Sequence, residues 1–208
     1  MTAYLLKTNK LNSAQHGFLA GHSTATNLLQ SLNDWTVSLK NGLQTRVVNI
    51  DFSKAFDSIC HSKLLLKLGK YGFDGKLLSI LQAFLYDRSQ RVRISNSVSG
   101  SAKITSGVPQ GSVLGPLLFI IFINDLADIF TDNITSKFFA DDAKLYTVIR
   151  SNIELDTLQS STDLLCKWAS DWQLTLSIPK CNFIDFYTKV NKYTEFSLYL
   201  LVVMNLNH

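Results

Sequence analysis

Cysteine, glutamate and proline are all scarce in this 208-residue chain. The three cysteines, Cys60, Cys166 and Cys181, are odd in number and widely spaced. This pattern fits neither a disulfide framework nor a cysteine-based metal site, and it favours a reducing, intracellular setting in the nucleus or cytoplasm. Glutamate occurs only at positions 154 and 195, so any carboxylate chemistry falls to the aspartates.

Long apolar runs are also missing. The runs at Leu117 to Ile123 and Phe196 to Met204 are too short to span a bilayer, and no signal peptide is recognisable, so we predict no membrane partner. Hydrophobic residues make up 46% and charged residues 17%, which is a globular composition. The net charge of +4 is compatible with a polyanionic partner and does not require one.

Helical periodicity predicts a series of amphipathic segments. Hydroxyl residues at 23–26 can cap a helix that runs to about Lys40, with a core-facing stripe at Leu28, Leu32, Trp35 and Leu39. Further helices are predicted at residues 62–70, 76–86, 117–129 and 152–172, the third buried and begun by Pro116, the fourth capped by Asn152.

Strand patterns lie between these helices. A β-branched run at residues 46–50 leads into Asp51, and two short strands are predicted around Pro179 within residues 174–186. Arg91 and Arg93 alternate with apolar residues on a hairpin whose turn we expect at residues 97–100. These arginines form either a solvated face or a contact with a phosphate backbone.

Asp141 and Asp142 lie at the turn of a second predicted hairpin. Adjacent carboxylates repel each other, and a divalent cation relieves that repulsion, whereas the alternative is a solvated turn that simply favours aspartate. Oxygen ligands without histidine or cysteine suit Mg²⁺ or Mn²⁺. If the strand before Asp51 pairs beside this hairpin, three carboxylates converge and can hold two cations for in-line phosphoryl displacement.

Residues 105–116 form an unusual loop in which Gly107, Gly111 and Gly115 recur every four residues. The loop matches neither a P-loop nor a dinucleotide fingerprint. Glycines allow a ligand to approach the backbone closely, and the Gln110 amide can both donate and accept hydrogen bonds.

Three blocks of this sequence resemble motifs A, B and C of reverse transcriptases, with the non-LTR (LINE-like) retrotransposons as the nearest group. The blocks are Asp51 to Asp57, Ser106 to Ser112 and Phe139 to Asp142, and supporting similarity occurs at residues 15–18, 87–92, 172–174 and 180–181. The similarity covers about residues 14–186, with residues 1–14 and 187–208 unassigned. It implies an α+β fold, the palm of a right-hand polymerase with an antiparallel sheet backed by helices, with partial fingers and no thumb.

The resemblance also implies an activity and roles for individual residues. The activity is RNA-directed DNA polymerisation with two Mg²⁺ (or Mn²⁺) ions, an RNA template, a DNA primer and dNTPs. Asp51, Asp141 and Asp142 would bind metal together with the Phe52 carbonyl, and Lys180 would protonate the leaving pyrophosphate. Phe56 would exclude a ribose 2′-OH, unless it is simply a core aromatic. The residues implied to line the nucleotide are Gly107, Pro109, Gln110 and Gly111, and those implied to touch the nucleic-acid backbone are Arg91 and Arg93.

Departures from the family pattern leave alternatives open. No basic block that grips the triphosphate precedes Gln15, no thumb follows Phe186, and Ser177 to Pro179 stand where the family has an asparagine-containing turn. These departures predict a truncated retrotransposon copy, and an inactive remnant that binds RNA or nothing is the alternative function. A metal nuclease would also use clustered carboxylates, but the scarcity of glutamate and the Pro109-Gln110-Gly111 loop argue against it.

Overall fold

The computed structural model describes residues 1–187, which form two compact units. One unit contains residues 1–11 and 54–123, and the other contains residues 12–53 and 124–187. Elements are numbered in chain order. The apolar run at Phe196 to Met204 lies outside the described residues.

The second unit is built on an antiparallel sheet. Its strands are β1 (Gln44–Ile50), β6 (Thr135–Phe139), β7 (Asp142–Ile149) and β8 (Asn182–Phe186). They pair in the order β6-β7-β1-β8, so the β-branched strand before Asp51 lies directly beside the Asp141–Asp142 hairpin, as the sequence predicts. The register pairs Ile50 with Ala143, which brings the carboxyl end of β1 to the turn between β6 and β7.

Two helices pack on this sheet, α2 (Thr24–Lys40) and α7 (Asn152–Trp172). From α2, Trp35 packs against Val47 and Tyr146, and its ring stacks on Phe186 with centroids 4.6 Å apart. Alternate residues of a strand point to opposite faces. Accordingly Val48 and Leu145 point away from this cluster and are fully buried, and α7 packs against β7.

The predicted core stripe of α2 is confirmed at Trp35 and wrong at Leu28 and Leu32. The buried residues of α2 are Asn27, Ser31, Trp35 and Ser38, whereas Leu28 and Leu32 are 48% and 42% exposed. In the first half of the helix the residue that faces inward is therefore the one before the predicted leucine, roughly 100° away around the helix. Small polar side chains make this possible, because Ser31 donates a hydrogen bond to its own helix and Asn27 donates to the Phe138 carbonyl in β6.

Other details of the second unit also differ from the predictions. The cap of α7 is Ser151 rather than Asn152, because the Ser151 hydroxyl accepts from Ile153 and Glu154 folds back on the Ser151 amide. Residues 174–186 form a single strand, β8, preceded by an isolated bridge at Leu176 and a 3₁₀ turn at Ile178–Lys180. Proline lacks an N–H and suits the start of such a turn better than a strand.

A buried ion pair fastens β8 to the neighbouring strand. The Arg46 guanidinium, whose side chain is fully buried, donates to both carboxylate oxygens of Asp185 at 2.7 and 2.6 Å. The two residues are direct partners across β1 and β8. Because a buried charge without its partner is strongly unfavourable, this pair fixes the register of the edge strand.

The first unit is mostly helical. Its helices are α1 (Thr2–Lys7), α3 (Ala55–Ser58), α4 (His61–Lys70), α5 (Gly75–Leu85) and α6 (Leu114–Ile123), and its short strands are β2 (Ser89–Gln90), β3 (Arg93–Ile94), β4 (Ser97–Val98) and β5 (Ala102–Lys103). The apolar helix α6 is almost entirely buried, as predicted, and packs against α4. The buried Lys67 of α4 donates to the Phe122 carbonyl near the end of α6.

Three features of this unit were not predicted correctly. Helix α1 has no counterpart in the prediction, and α6 begins at Leu114, before Pro116, and ends at Ile123, where a 3₁₀ helix (Asn124–Ile129) follows. The turn between β3 and β4 lies at Ser95 and Asn96, not at residues 97–100. Ser95 has φ of 51°, a left-handed conformation that two-residue hairpin turns require. No helix among residues 1–187 has both the length and the apolarity needed to cross a bilayer.

Candidate active site

The end of β1 and the β6–β7 turn bring the predicted carboxylates together in the second unit. Asp51 follows Ile50, and Asp142 precedes its cross-strand partner Ala143, so the two acidic residues are neighbours across the strands. Asp141 completes the group from the turn itself. The convergence that the sequence predicts for Asp51, Asp141 and Asp142 is therefore present in the structure.

Electrostatics at this group are unfavourable for three negative charges. Burial, followed by the nearby charge of Asp51, raises the pKa of Asp141 above its usual range. Burial also raises the pKa of Asp142, and the charges of Asp141 and Asp51 add to that shift. A cation that binds among these carboxylates would therefore stabilise their charged forms.

Lys180 supplies one cationic group. Its Nζ lies 3.2 Å from Oδ2 of Asp51, although the lysine side chain is 70% exposed. The backbone explains the placement, since the amide of Ser177 donates to the Asp51 carbonyl and the amide of Ser53 donates to the Thr175 carbonyl. The segment that carries Lys180 is thus hydrogen-bonded to the end of β1.

The donor atoms fit a hard divalent cation. Carboxylate oxygens are the preferred ligands of Mg²⁺ and Mn²⁺. Oδ2 of Asp51 is buried and accepts no hydrogen bond within residues 1–187, although the ammonium group of Lys180 lies 3.2 Å from it. Within the same residues, no three Asp, Glu, His or Cys side chains lie close enough together to coordinate one metal ion as they stand. The side chains of Asp51, Asp141 and Asp142 are the residues that could hold an ion here.

The hairpin turn that carries Asp141 is held by a residue whose role the sequence did not reveal. Ala140 has φ of 54°, a conformation that costs a non-glycine residue about 1 kcal/mol. The buried Gln15 side chain accepts hydrogen bonds from the amides of Ala140 and Gly17, and it donates to the Ala140 carbonyl at 3.3 Å. One amide side chain therefore satisfies both backbone groups of the strained residue.

The backbone around Gln15 continues this support. His16 donates to the Phe138 carbonyl, and Phe138 donates to the Ala14 carbonyl, so the segment adds to the edge of β6. Gly17 lies so close to Ala140 that a Cβ at position 17 would collide with the Ala140 backbone nitrogen.

The glycine-rich loop belongs to the first unit and is fastened to α3. The amide of Val108 donates to the Phe56 carbonyl, and the amide of Gly107 donates to the Ile59 carbonyl. Gly107 has φ of 85°, and a Cβ there would lie 2.7 Å from Cα and O of Asp57. This position therefore requires glycine for both its conformation and its packing.

Two predicted nucleotide contacts are oriented within the same unit. Nε2 of Gln110 donates to Oδ1 of Asp57 at 2.7 Å, so Asp57 orients an amide that would otherwise be free to rotate. Asp57, which lies next to Phe56, was not among the predicted site residues. The Phe56 ring stacks on Phe119 with centroids 4.2 Å apart, so Phe56 is a packed aromatic as well as the residue implied to exclude a ribose hydroxyl.

The remaining predicted residues are more exposed. Gly111 is exposed with φ of 76°, whereas Pro109 is partly buried and its carbonyl accepts from the Ser112 hydroxyl. Arg91 and Arg93 lie on an exposed hairpin, where Arg93 donates to the Ser95 carbonyl. Phe52 is 3% exposed and forms a bridge with Leu176. All of these residues except Phe52 belong to the first unit, whereas the carboxylates and Lys180 belong to the second.

A family model described as reverse transcriptase (RNA-dependent DNA polymerase) matches residues 1–196. This chain belongs to the reverse transcriptase family. It is 28% identical over 198 residues to the RNA-directed DNA polymerase from mobile element jockey of Drosophila melanogaster, an alignment that covers 92% of this chain and 22% of the relative. It is 33% identical over 175 residues to the probable RNA-directed DNA polymerase from transposon BS of the same species, covering 80% and 19%.

These relatives confirm the resemblance to reverse transcriptases of non-LTR elements. The chain spans about a fifth of the length of the curated relatives that it matches. Among solved structures, apo telomerase from Candida tropicalis, truncated from its C-terminal domain, matches with a TM-score of 0.67 at 12% identity, covering 91% of this chain and 40% of that one. Telomerase from Candida albicans matches with a TM-score of 0.65 over 88% and 34%. This likeness confirms the predicted α+β, palm-like fold.

Proposed function

We propose that this chain carries the polymerase site of an RNA-directed DNA polymerase, which adds dNTPs to the 3′-OH of a primer on an RNA template. The observation that supports the proposal most strongly is the meeting of Asp51, Asp141 and Asp142 at the end of paired strands in a member of the reverse transcriptase family. The inactive remnant differs from this proposal in activity, not in fold.

The acidic residues are proposed to hold two divalent cations. When bound there, such ions would lower the pKa of an attacking hydroxyl and neutralise charge on the reacting phosphate. Asp51 and Asp141 are the proposed ligands of both ions, with Asp142 and the carbonyl of Phe52 assisting. The buried Oδ2 of Asp51 and the raised pKa values of Asp141 and Asp142 support this assignment, because each is a cost that a bound cation offsets.

Lys180 is the proposed proton donor to the leaving pyrophosphate. Its ammonium group already lies beside Asp51, and its high exposure leaves it free to turn toward an incoming anion. Lysine is a compact cation with three donors, which suits contact with phosphate oxygens. In this proposal the same side chain screens the carboxylates before a nucleotide binds.

The first unit is proposed to select the nucleotide. Phe56, held by stacking on Phe119, would clash with a ribose 2′-OH and thereby favour dNTPs. Gln110, oriented by Asp57, and the backbone of Gly107, Pro109 and Gly111 would line the nucleotide and the nascent base pair. The arginines Arg91 and Arg93 would contact the nucleic-acid backbone, where exposed cations bind without reading sequence.

Primer extension on an RNA template in Mg²⁺ tests the proposal. We expect incorporation by the full chain and a loss of at least about a thousandfold in Asp141→Asn, since that change removes a charged ligand while keeping the size of the side chain. Asp156→Asn, an exposed aspartate of α7, is the matched control and should remain active.

The outcomes separate the alternatives. Equal incorporation by the parent chain and Asp141→Asn would refute the proposed mechanism. Binding of the RNA–DNA hybrid by a parent chain that incorporates no dNTP would favour the inactive remnant.

A further inference from the structure

A row of polar side chains crosses the sheet of the second unit, two residues along the strands from the carboxylates. Pairing places Lys137 opposite Lys144, Lys144 opposite Asn49, and Asn49 opposite Asn182. We call these four residues the donor row. Residues two apart along a strand share a face, so the donor row lies on the same face as the carboxylates that end β1 and begin β7.

In the described part of the chain, the two ammonium groups of this row are not held in ion pairs, although the charge of Asp142 acts on Lys144 from two residues away along β7. Lys137 donates to the neutral side chain of Gln30, and Nζ of Lys144 lies 5.3 Å from the centre of the Trp35 ring. Within residues 1–187 neither lysine forms an ion pair. Like charges at directly paired positions of a sheet repel each other and destabilise it. An anion held between the two lysines would reverse that penalty.

A cavity of about 410 Å³ opens beside the row. Lys137, Lys144 and Asn49 line one part of it, and Asp51 and Asp142 line another part. This volume lies within the range of pockets that hold small ligands. Two residues along a strand advance the chain by about 6.8 Å, which is comparable to the separation of consecutive phosphates in an extended nucleic-acid strand.

We propose that the donor row is a phosphate-binding subsite for the phosphate adjacent to the reacting one. The inference rests on the proposed function, since that function places the reacting phosphate at the carboxylates. The lysines of the donor row lie beside the carboxylates of Asp51 and Asp142. This arrangement fits a ligand with two neighbouring phosphates, one bound to cations at the carboxylates and the other bound to the lysines. The phosphate is supplied either by a polynucleotide backbone or by a nucleoside triphosphate.

The first arm of the test measures binding of a primer–template hybrid by the full chain, without dNTPs and with a chelator, at a series of salt concentrations. Each phosphate contact contributes about −0.9 to the slope of log K against log salt for a B-form duplex, and a comparable contribution is expected for a hybrid. We expect Lys137→Gln and Lys144→Gln each to weaken binding about three- to tenfold at low salt and to reduce the slope by about one contact.

The controls separate loss of a contact from loss of structure. Lys40→Gln removes an exposed lysine at the end of α2 and should leave the slope unchanged. Lys144→Arg keeps the charge and should restore the slope. Lys137→Gln tests the row even if Lys144→Gln unfolds, because the one hydrogen bond that the Lys137 ammonium makes within residues 1–187 is to the exposed Gln30. If the Lys137→Gln slope equals the parent's, a subsite for the backbone is excluded.

The second arm uses inorganic triphosphate alone as the probe. If the triphosphate binds the parent and binds Lys137→Gln about three- to tenfold more weakly, the nucleotide is a source of the phosphate. Failure of both arms overturns the subsite. Primer extension is measured separately. If the chain is active but the lysine variants bind as the parent does, the subsite is refuted and the proposed polymerase activity is not. A chain that shows the slope change but no incorporation defeats the proposed polymerase activity and leaves phosphate binding at the row intact.

Discussion

Two segments of this molecule hold proposed site residues by opposite means. The hairpin turn at residues 139–142 contains a strained Ala140 and two carboxylates whose pKa values are raised, and a single buried side chain, Gln15, supports it. The glycine-rich loop at residues 105–116 is uncharged, and two backbone hydrogen bonds and one from the Ser106 hydroxyl attach it to the α3 region. The turn is thus held in place despite repulsion between its carboxylates. The loop carries no charge, and hydrogen bonds to the α3 region hold its backbone.

The difference indicates where each segment should be sensitive. The stability of the hydrogen-bonded, uncharged loop depends on close packing. Substitutions that add atoms should therefore destabilise it more than substitutions that remove charge. A turn with repelling charges should gain stability when a charge is removed, even as function is lost, because functional sites commonly retain strain at the expense of stability. Each prediction below tests one side of this contrast.

The largest effects should come from adding a side chain at glycines that lie close to another part of the backbone. Gly107→Ala would place a Cβ 2.7 Å from Asp57 at a φ of 85°, and Gly17→Ala would press on the Ala140 backbone. We expect each to lower the free energy of unfolding by about 3 kcal/mol, measured by urea denaturation.

Gly69→Ala is the matched control for both substitutions. Gly69 lies within α4, and a Cβ there would meet nothing within 4 Å. Alanine is the better helix former by about 1 kcal/mol, so this variant should be more stable than the parent. A Gly17→Ala variant as stable as the parent would contradict the close approach seen at the turn.

Removing the support of the turn should have the next largest effect. Gln15→Ala leaves the Ala140 amide and carbonyl without the partners that Gln15 supplies, which should cost about 2 kcal/mol of stability. Because Asp141 follows Ala140, the same change should raise the Mg²⁺ concentration needed for half-maximal extension.

Gln15→Glu is the informative companion to this variant. It keeps an acceptor for the amides of Ala140 and Gly17 but loses the donor to the Ala140 carbonyl, so its stability should fall between the parent and Gln15→Ala. An unchanged Mg²⁺ requirement in Gln15→Ala, at a temperature where it is folded, would show that Gln15 does not position the carboxylate.

A smaller effect is expected from the contact that orients Gln110. Asp57→Asn keeps an acceptor oxygen and should lower stability by less than about 1 kcal/mol, whereas Asp57→Ala removes the hydrogen bond altogether. We expect Asp57→Ala to raise the KM for dNTPs about three- to tenfold with little change in kcat, because binding rather than chemistry is disturbed. A fall in kcat without a change in KM would contradict this role.

The sequence predicted which carboxylates come together better than it predicted the residues that support them. The order of the motifs led us to expect three converging carboxylates if the strand before Asp51 pairs beside the hairpin, and the structure has that pairing. The contact between Gln15 and Ala140 joins residues 125 positions apart, and no local pattern encodes it. A glutamine in a loop-like stretch looks like an exposed polar residue until the fold is known.

The rotated face of α2 shows a second limit. Periodicity locates an apolar stripe, but Leu28 and Leu32 are exposed, and Asn27 and Ser31 take the inward positions one residue away. The hydrogen bond from Asn27 to the Phe138 carbonyl is a tertiary interaction that helical periodicity does not encode. Single-sequence patterns therefore predicted that this helix exists and where it ends, but not which side faces the sheet.

The smallest predicted effect is on stability without metal. The folded pKa values of Asp141 and Asp142 lie above the unfolded value of about 3.9, so the folded state binds more protons in that window and stability should fall as pH rises through it. Asp142→Asn removes one of the charges, so it should flatten the pH dependence and raise the free energy of unfolding at pH 7 slightly. Asp156→Asn, which is exposed on α7, should do neither. Thermal unfolding from pH 4 to 7 in a chelator measures both quantities, and a variant less stable than the parent at pH 7 would show that the turn is not held against repulsion between its carboxylates.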